Sequence, residues 1–256
     1  MVTGADPVAS PVAGAAARTV AAGTARLFAA WCTGTPVPDA RDRRCEGVAD
    51  LRARRARVIA VSFLTERLAA ELATRGDDQA HDPGQASHEE VYDGAACYLK
   101  VGDAWTIFFG PVDPGGPRGP NDPLWPLDAL FGARDDGAPV GEADVRGEPV
   151  THYRFSVDLG LADAQLSAGV SVPSGPYRGL SRLPAEAWLD SSGLARRVAV
   201  VPEPTATADS QLWAVDELWD FGLPVEINPP NRADVVAPAC AYSRAYGDTG
   251  EAASPG

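Results

Sequence analysis

The sequence predicts an α+β protein in which one large antiparallel sheet carries helices on one side. Three observations carry that expectation. About eight to ten strand-like runs follow one another, mostly through short turns. The 26 Gly and 23 Pro exceed what a helical bundle uses and supply those turns. Residues 153–159 alternate without a break: Tyr153, Phe155, Val157 and Leu159 are apolar, while Arg154, Ser156 and Asp158 are polar. That period of two marks a strand buried on one face and wet on the other. Consecutive strands with only a few helices between them argue for α+β rather than alternating α/β.

Each element has its own signal, taken in chain order. Residues 1–12 are polar and Pro/Ala-rich, a disordered start; residues 13–22 suit a short helix that Gly23 ends. Residues 24–32 read as a strand, and residues 47–61 as a second one studded with Arg52, Arg54, Arg55 and Arg57 on a solvated face. Leu64, Leu68 and Leu72 recur every fourth residue before Gly76, which predicts an amphipathic helix and a polar loop within a helix-loop insertion over 62–88. Residues 89–109 form the clearest hairpin, turning at Gly102-Asp103. After a Gly/Pro loop, Asp122-Pro123 opens a short apolar helix with Leu124, Leu127 and Phe131 on one face and Gly132 as its stop. Residues 140–159 make a second hairpin through Gly147, residues 183–201 a third through Ser191-Ser192-Gly193, and residues 211–221 a last strand. One domain over 13–236 and a C-terminal tail over 237–256 complete the division.

Charge and composition exclude several functions. The 22 Lys+Arg against 35 Asp+Glu leave a net charge of −13, which argues against a nucleic-acid partner and against loose adsorption to anionic headgroups. No apolar run approaches the length of about 18 residues that a spanning helix needs. The first 23 residues lack a basic n-region and an apolar h-region, and Trp31 rather than a small residue precedes Cys32. The expectation is a chain with no visible signal peptide or lipobox.

Catalytic and metal motifs are missing too. There is no phosphate loop, GxGxxG, HExxH or strand-to-helix GxSxG. His81 and His88 sit beside Asp77, Asp78 and Asp82 without ligand spacing, and His152 falls on the Arg154 side of its strand, facing solvent. Asp216, Glu217 and Asp220 are interleaved with Trp213 and Trp219 rather than grouped. The reading is a non-enzyme with no cofactor and no metal. Four cysteines without CxxC spacing leave alternatives open. A turn-rich stretch would let Cys32 meet Cys45, with Cys97 and Cys240 as a second bridge; otherwise all four are buried thiols.

The second half carries a resemblance. The run Val145-Arg146-Gly147-Glu148-Pro149-Val150-Thr151-His152-Tyr153 through Val157-Asp158-Leu159 resembles a hairpin of actinobacterial lipoproteins of the LppX/LprG type. Pro184 through Trp188, Asp190, Gly193-Leu194 and Arg196-Arg197 resemble their next strand pair, and Asp220-Phe221-Gly222 through Pro230 their close. The resemblance covers residues 15–236, with 62–88 and 160–182 fitting poorly. It implies a large curved antiparallel half-barrel sheet of LolA/LolB-like type, with two or three helices packed in or over its concave face. It also implies a monomeric, non-catalytic carrier of the cell envelope that holds an acylated lipid or lipoprotein and touches membranes transiently. The missing export signal leaves a mis-assigned start or a cytoplasmic location as the alternatives.

On this reading an apolar cup is lined by Leu99, Trp105, Ile107, Tyr153, Phe155, Val157, Leu189, Val198, Trp213 and Trp219. The helix with Leu124, Trp125, Leu127 and Phe131 is its lid. The alternative is a protein-binding module on the same fold with a filled cavity.

Overall fold

Side-chain alternation along the strands divides this molecule into two unlike faces. The structure, a computed structural model, describes residues 11–38, 43–61, 87–94, 96–109, 122–134, 136–165, 181–201 and 211–236. The described strands are β1 (Thr24–Thr33), β2 (Arg43–Asp50), β3 (Arg55–Val61), β4 (Ser87–Asp93), β5 (Ala96–Val101), β6 (Ala104–Phe109), β7 (Ala138–Val145), β8 (Glu148–Asp158), β9 (Arg182–Leu189), β10 (Ala195–Val200), β11 (Leu212–Trp219) and β12 (Val235–Val236). They form one 12-stranded sheet in the order β12-β6-β5-β4-β3-β2-β1-β11-β10-β9-β8-β7. Only β12, beside β6, runs parallel to its neighbour. Two meanders, β1–β6 and β7–β11, meet where β1 pairs with β11 through Leu27↔Leu218 and Ala29↔Asp216. The sheet is an unclosed, curved half-barrel with an α+β architecture. Its β7 edge is blunted by Pro139, a register shift at Gly141, and exposed Glu142 and Asp144.

The concave face is built from small side chains. Ala25, Leu27 and Ala29 of β1, Ala49 of β2 and Ala56, Val58 and Ala60 of β3 are buried there, with Ala185, Ala187, Val198 and Ala214 from the other half. Those short stems leave room for helices. These are α1 (Ala15–Ala21), α2 (Trp125–Ala129), a 3-10 turn (Leu130–Gly132) and α3 (Leu159–Gln165). Leu124, Trp125, Leu127 and Leu130 fill the cup and are at most 2% exposed. Burying side chains of that size contributes about 1.5–3 kcal/mol each.

The convex face holds a second, smaller cluster. Arg146 and Gly147, at φ 56 and 81, make the two-residue β7–β8 turn. Val145 and Val150 beside that turn pack with Trp188, Val201, Trp213 and Val215. The Arg146 guanidinium lies 3.7 Å from the Trp219 ring centroid and donates to Glu217 at 2.8 Å. Arg197 donates to the same carboxylate.

Several sequence expectations need revision. Residues 47–61 are not one strand but parts of β2 and β3, joined by a turn at 51–54. Asp50 Oδ1 accepts from Arg52 and Ala53 N–H, and Arg54 takes a left-handed φ of 54, so the turn forms without Gly or Pro. Arg54 is not on a solvated face: its guanidinium pairs with buried Asp128 of α2. Leu159 does not continue β8 but opens α3. His152 does point to the convex side, yet its ring stacks on Trp188 at 4.3 Å, and its Nε2 lies 2.9 Å from Glu186. The helix predicted over 63–75 lies outside the described residues, as do the terminal segments 1–10 and 237–256.

Candidate ligand-binding groove

Alanine and glycine shape an open groove at the mouth of the cup. One wall is the start of α1, where Ala13, Gly14, Ala16 and Ala17 present almost no side chain. The other wall is Phe131 and Ala133 beyond the 3-10 turn and Gly160, Leu161 and Ala164 of α3. Arg134, Asp136 and Asp158 supply its polar side chains. The groove, open to solvent, has a volume of about 1080 Å³, slightly above the range usual for small-molecule sites, about 300–1,000 Å³.

Each wall is fixed by specific contacts. Thr19 Oγ1 donates to Ala15 O at 2.8 Å and accepts from Ala195 N–H at 2.9 Å, which ties α1 to β10. Arg18 donates to the carbonyls of Gly193 and Pro11. Gly132 permits the approach of α3: a Cβ there would lie 2.2 Å from Asp158 O and 3.0 Å from Ala162 Cβ. Ala133 bridges to Val157, and Arg134 N–H donates to Ser156 O at 3.2 Å, so the chain leaving the 3-10 turn runs along β8. Asp158 Oδ1 accepts Leu161 N–H at 3.0 Å at the start of α3, a capping bond.

The polar side chains are mutually engaged. Arg134 Nη1 donates to Asp158 Oδ2 at 2.6 Å. The Leu161 N–H first, and Arg134 with it, hold the Asp158 carboxyl below its usual pKa. Asp136 accepts from the Ser156 hydroxyl and N–H. Partial burial opposes its charge, but the two Ser156 bonds outweigh that and lower its pKa. Both carboxyls are ionised at neutral pH.

The residues singled out in the sequence divide between the two faces. Tyr153, Phe155, Val157, Leu189 and Val198 point to the concave side, but they are packed in the core against the helices. Leu99 joins Ala104 and Val236 in a small separate cluster. Trp105 and Ile107 do not face the cup. Ala104 and Thr106 are the inward members of β6, so Trp105 lies outward near Lys100, and Ile107 is 40% exposed. Trp213 and Trp219 are convex-side residues, because Ala214, Asp216 and Leu218 take the inward positions of β11. Leu124, Trp125 and Leu127 form a plug buried within the cup rather than a lid over a space, and only Phe131 of that set lines the groove. Cys32, Cys45 and Cys97 are all buried. Cys32 belongs to the convex cluster and Cys45 to the concave one, which rules out the expected bridge between them. Cys240 lies outside the described residues.

The sequence reading missed α1 and α3 as groove walls. Two signals were present: the run of small residues over 13–17, and Asp158 before Leu159-Gly160-Leu161 as a helix cap.

Other buried polar groups support the scaffold. Asp216, beneath α2, accepts Leu127 N–H at 3.2 Å through Oδ2, while Oδ1 finds no hydrogen-bond partner among the described residues. Burial pushes its pKa well above the usual carboxylate value, and the charge of Asp122 adds to that rise. On β4, His88 Nε2 and Tyr92 Oη both lie against the Glu90 carboxylate, at 2.7 and 2.6 Å. Burial raises the Tyr92 pKa well above the ordinary phenol value. Among the described residues no group of three His, Cys, Asp or Glu side chains could hold a metal ion, and no helix is long and apolar enough to cross a membrane.

No family model and no curated protein matches the sequence. Solved structures do match the fold. LprF from Mycobacterium bovis superposes with a TM-score of 0.50 at 14% identity, over 86% of this chain and 95% of that one. LppX from Mycobacterium tuberculosis, a lipoprotein by its description, gives 0.47 at 11% identity over 88% and 100%. A LolA superfamily protein from Nitrosomonas europaea gives 0.32 at 6% identity over 89% and 97%. The chain shares the fold of LprF.

Proposed function

We propose that this protein is a non-catalytic lipid- or lipoprotein-binding carrier of the bacterial cell envelope. Its acyl-binding site is the groove between α1 and α3 rather than the interior of the cup. One observation carries the reading: a groove of about 1080 Å³ with an Ala, Leu and Phe floor and charged side chains. An acyl chain moved from water onto such a floor gains ~0.8 kcal/mol per buried methylene. A dozen methylenes would give about 10 kcal/mol, and once about half of that offsets the cost of immobilisation the remainder corresponds to sub-millimolar binding without any specific polar contact. The fold shared with LprF and the sequence resemblance to LppX/LprG lipoproteins support an extracytoplasmic role.

The filled cup favours a second reading, a protein-binding module, since Trp125 is fully buried where a ligand would enter the interior. Native mass spectrometry of the purified chain, followed by organic extraction, separates the two. The carrier reading expects a co-purifying mass of diacyl-lipid size. A bare protein mass that persists after incubation with phospholipid vesicles would discard it in favour of the protein-binding module.

A further inference from the structure

Building on the groove reading above, we propose that Asp136 and Asp158 form an electrostatic filter for the lipid headgroup. The groove admits amphiphiles whose polar end is uncharged and donates hydrogen bonds, and it rejects those with an anionic headgroup.

Ser156 and Asp158 are two apart on β8 and project to the same side of the strand. Asp136 is hydrogen-bonded to Ser156, and Asp136 and Asp158 both belong to the groove lining, where β8 ends and α3 begins. Ionised carboxylates are acceptors only, and they reward a ligand that brings N–H or O–H groups. Among the described lining residues the cation is Arg134, whose Nη1 is 2.6 Å from Asp158 Oδ2. An anion placed beside Arg134 therefore meets Asp158 at nearly the same distance, and the two contributions cancel. The charge of Asp136 is left over, and it repels the anion. Arg18, beside Gly14 on the facing wall, already donates to two backbone carbonyls. The net charge of −13 adds a repulsive background for an approaching anion. A carrier built this way would not fill with the anionic phospholipids of a membrane it touches.

The test uses two probes with identical chains, dioctanoylglycerol and dioctanoyl phosphatidylglycerol, titrated into the full-length protein by calorimetry at low salt. The glycerol lipid is expected to bind about tenfold more tightly. The gap should narrow at 0.5 M salt, because screening weakens charge repulsion and leaves shape untouched. Asp136→Asn keeps an acceptor for Ser156 and should close most of the gap by strengthening the phosphatidylglycerol arm. Equal affinity for the two probes, or a preference for the anionic one, would overturn the filter and leave the groove reading standing. Binding of neither would overturn the groove reading and the filter together.

Discussion

Replacing Asp216 by asparagine should stabilise the protein at alkaline pH and do almost nothing at pH 4. Asp216 is 1% exposed on the concave side of β11, under the first turn of α2. Unfolded, its carboxyl titrates near 3.9. In the fold, burial raises the pKa well above that, and Asp122 reinforces the shift. A raised folded-state pKa gives a contribution that is complete below the unfolded pKa and is lost as pH rises through the folded one. The native chain therefore carries a penalty at pH 8 that is absent at pH 4. Each unit by which the folded pKa exceeds the unfolded one costs about 1.4 kcal/mol once both forms have passed their titrations. Asparagine keeps an acceptor for Leu127 N–H and cannot ionise. Its amide also replaces repulsion from Asp122 with attraction. A gain of about 1–3 kcal/mol corresponds to a rise of roughly 2–10 °C in Tm for a chain of this size. Thermal unfolding of both proteins at pH 4, 6 and 8 measures the difference, and other titrating groups cancel in the comparison. A variant less stable than the parent at pH 8, or a gap that is flat with pH, would refute the reasoning.

Three other substitutions probe the scaffold. Arg54→Ala removes the guanidinium beside Asp128, which is 2% exposed, and should cost roughly 3–5 kcal/mol in urea unfolding. Gly132→Ala would press a Cβ to 2.2 Å from Asp158 O and should destabilise by about 1–3 kcal/mol, whereas Gly160→Ala meets only an ordinary 3.5 Å contact and should be tolerated within about 0.5 kcal/mol in the same assay. Arg146→Ala strips the cation from the Trp219 ring and one donor from Glu217. Arg146 is partly solvated, so the loss should be only about 1 kcal/mol, accompanied by a change in Trp219 fluorescence.

The parts of the fold that were legible in the sequence have a strong local cause. The alternation of β8 named its buried face because only one register keeps Arg154 and Asp158 in water. The β5–β6 turn was legible from Gly102, which sits at φ 57. The β2–β3 turn was not, because an Asp side chain and a left-handed arginine do the work that Gly and Pro usually signal. The cup lining was misplaced for a different reason. Bulky aromatics in alternating strands suggest an inner face, but three helices must share the concave side, so alanines line it and Trp105, Trp213 and Trp219 turn outward. Which face is concave is set by the joining of β1 to β11, a contact between residues almost two hundred positions apart that no local pattern encodes. The groove escaped notice for the same reason, since its walls come from residues 13–17, 131–136 and 158–164 and meet only in the folded chain.

The most direct test of the groove as the lipid site is photo-crosslinking with a diacyl lipid carrying a diazirine at mid-chain, followed by peptide mapping. The groove predicts label on residues 13–17, 131–134 and 160–164, and its loss in Ala17→Trp, which fills the groove from an exposed position without disturbing the core. Label on Phe155, Leu189 or Val198 would place the chain inside the cup instead. Labelling spread evenly over the surface and unaffected by Ala17→Trp would contradict a defined lipid site altogether.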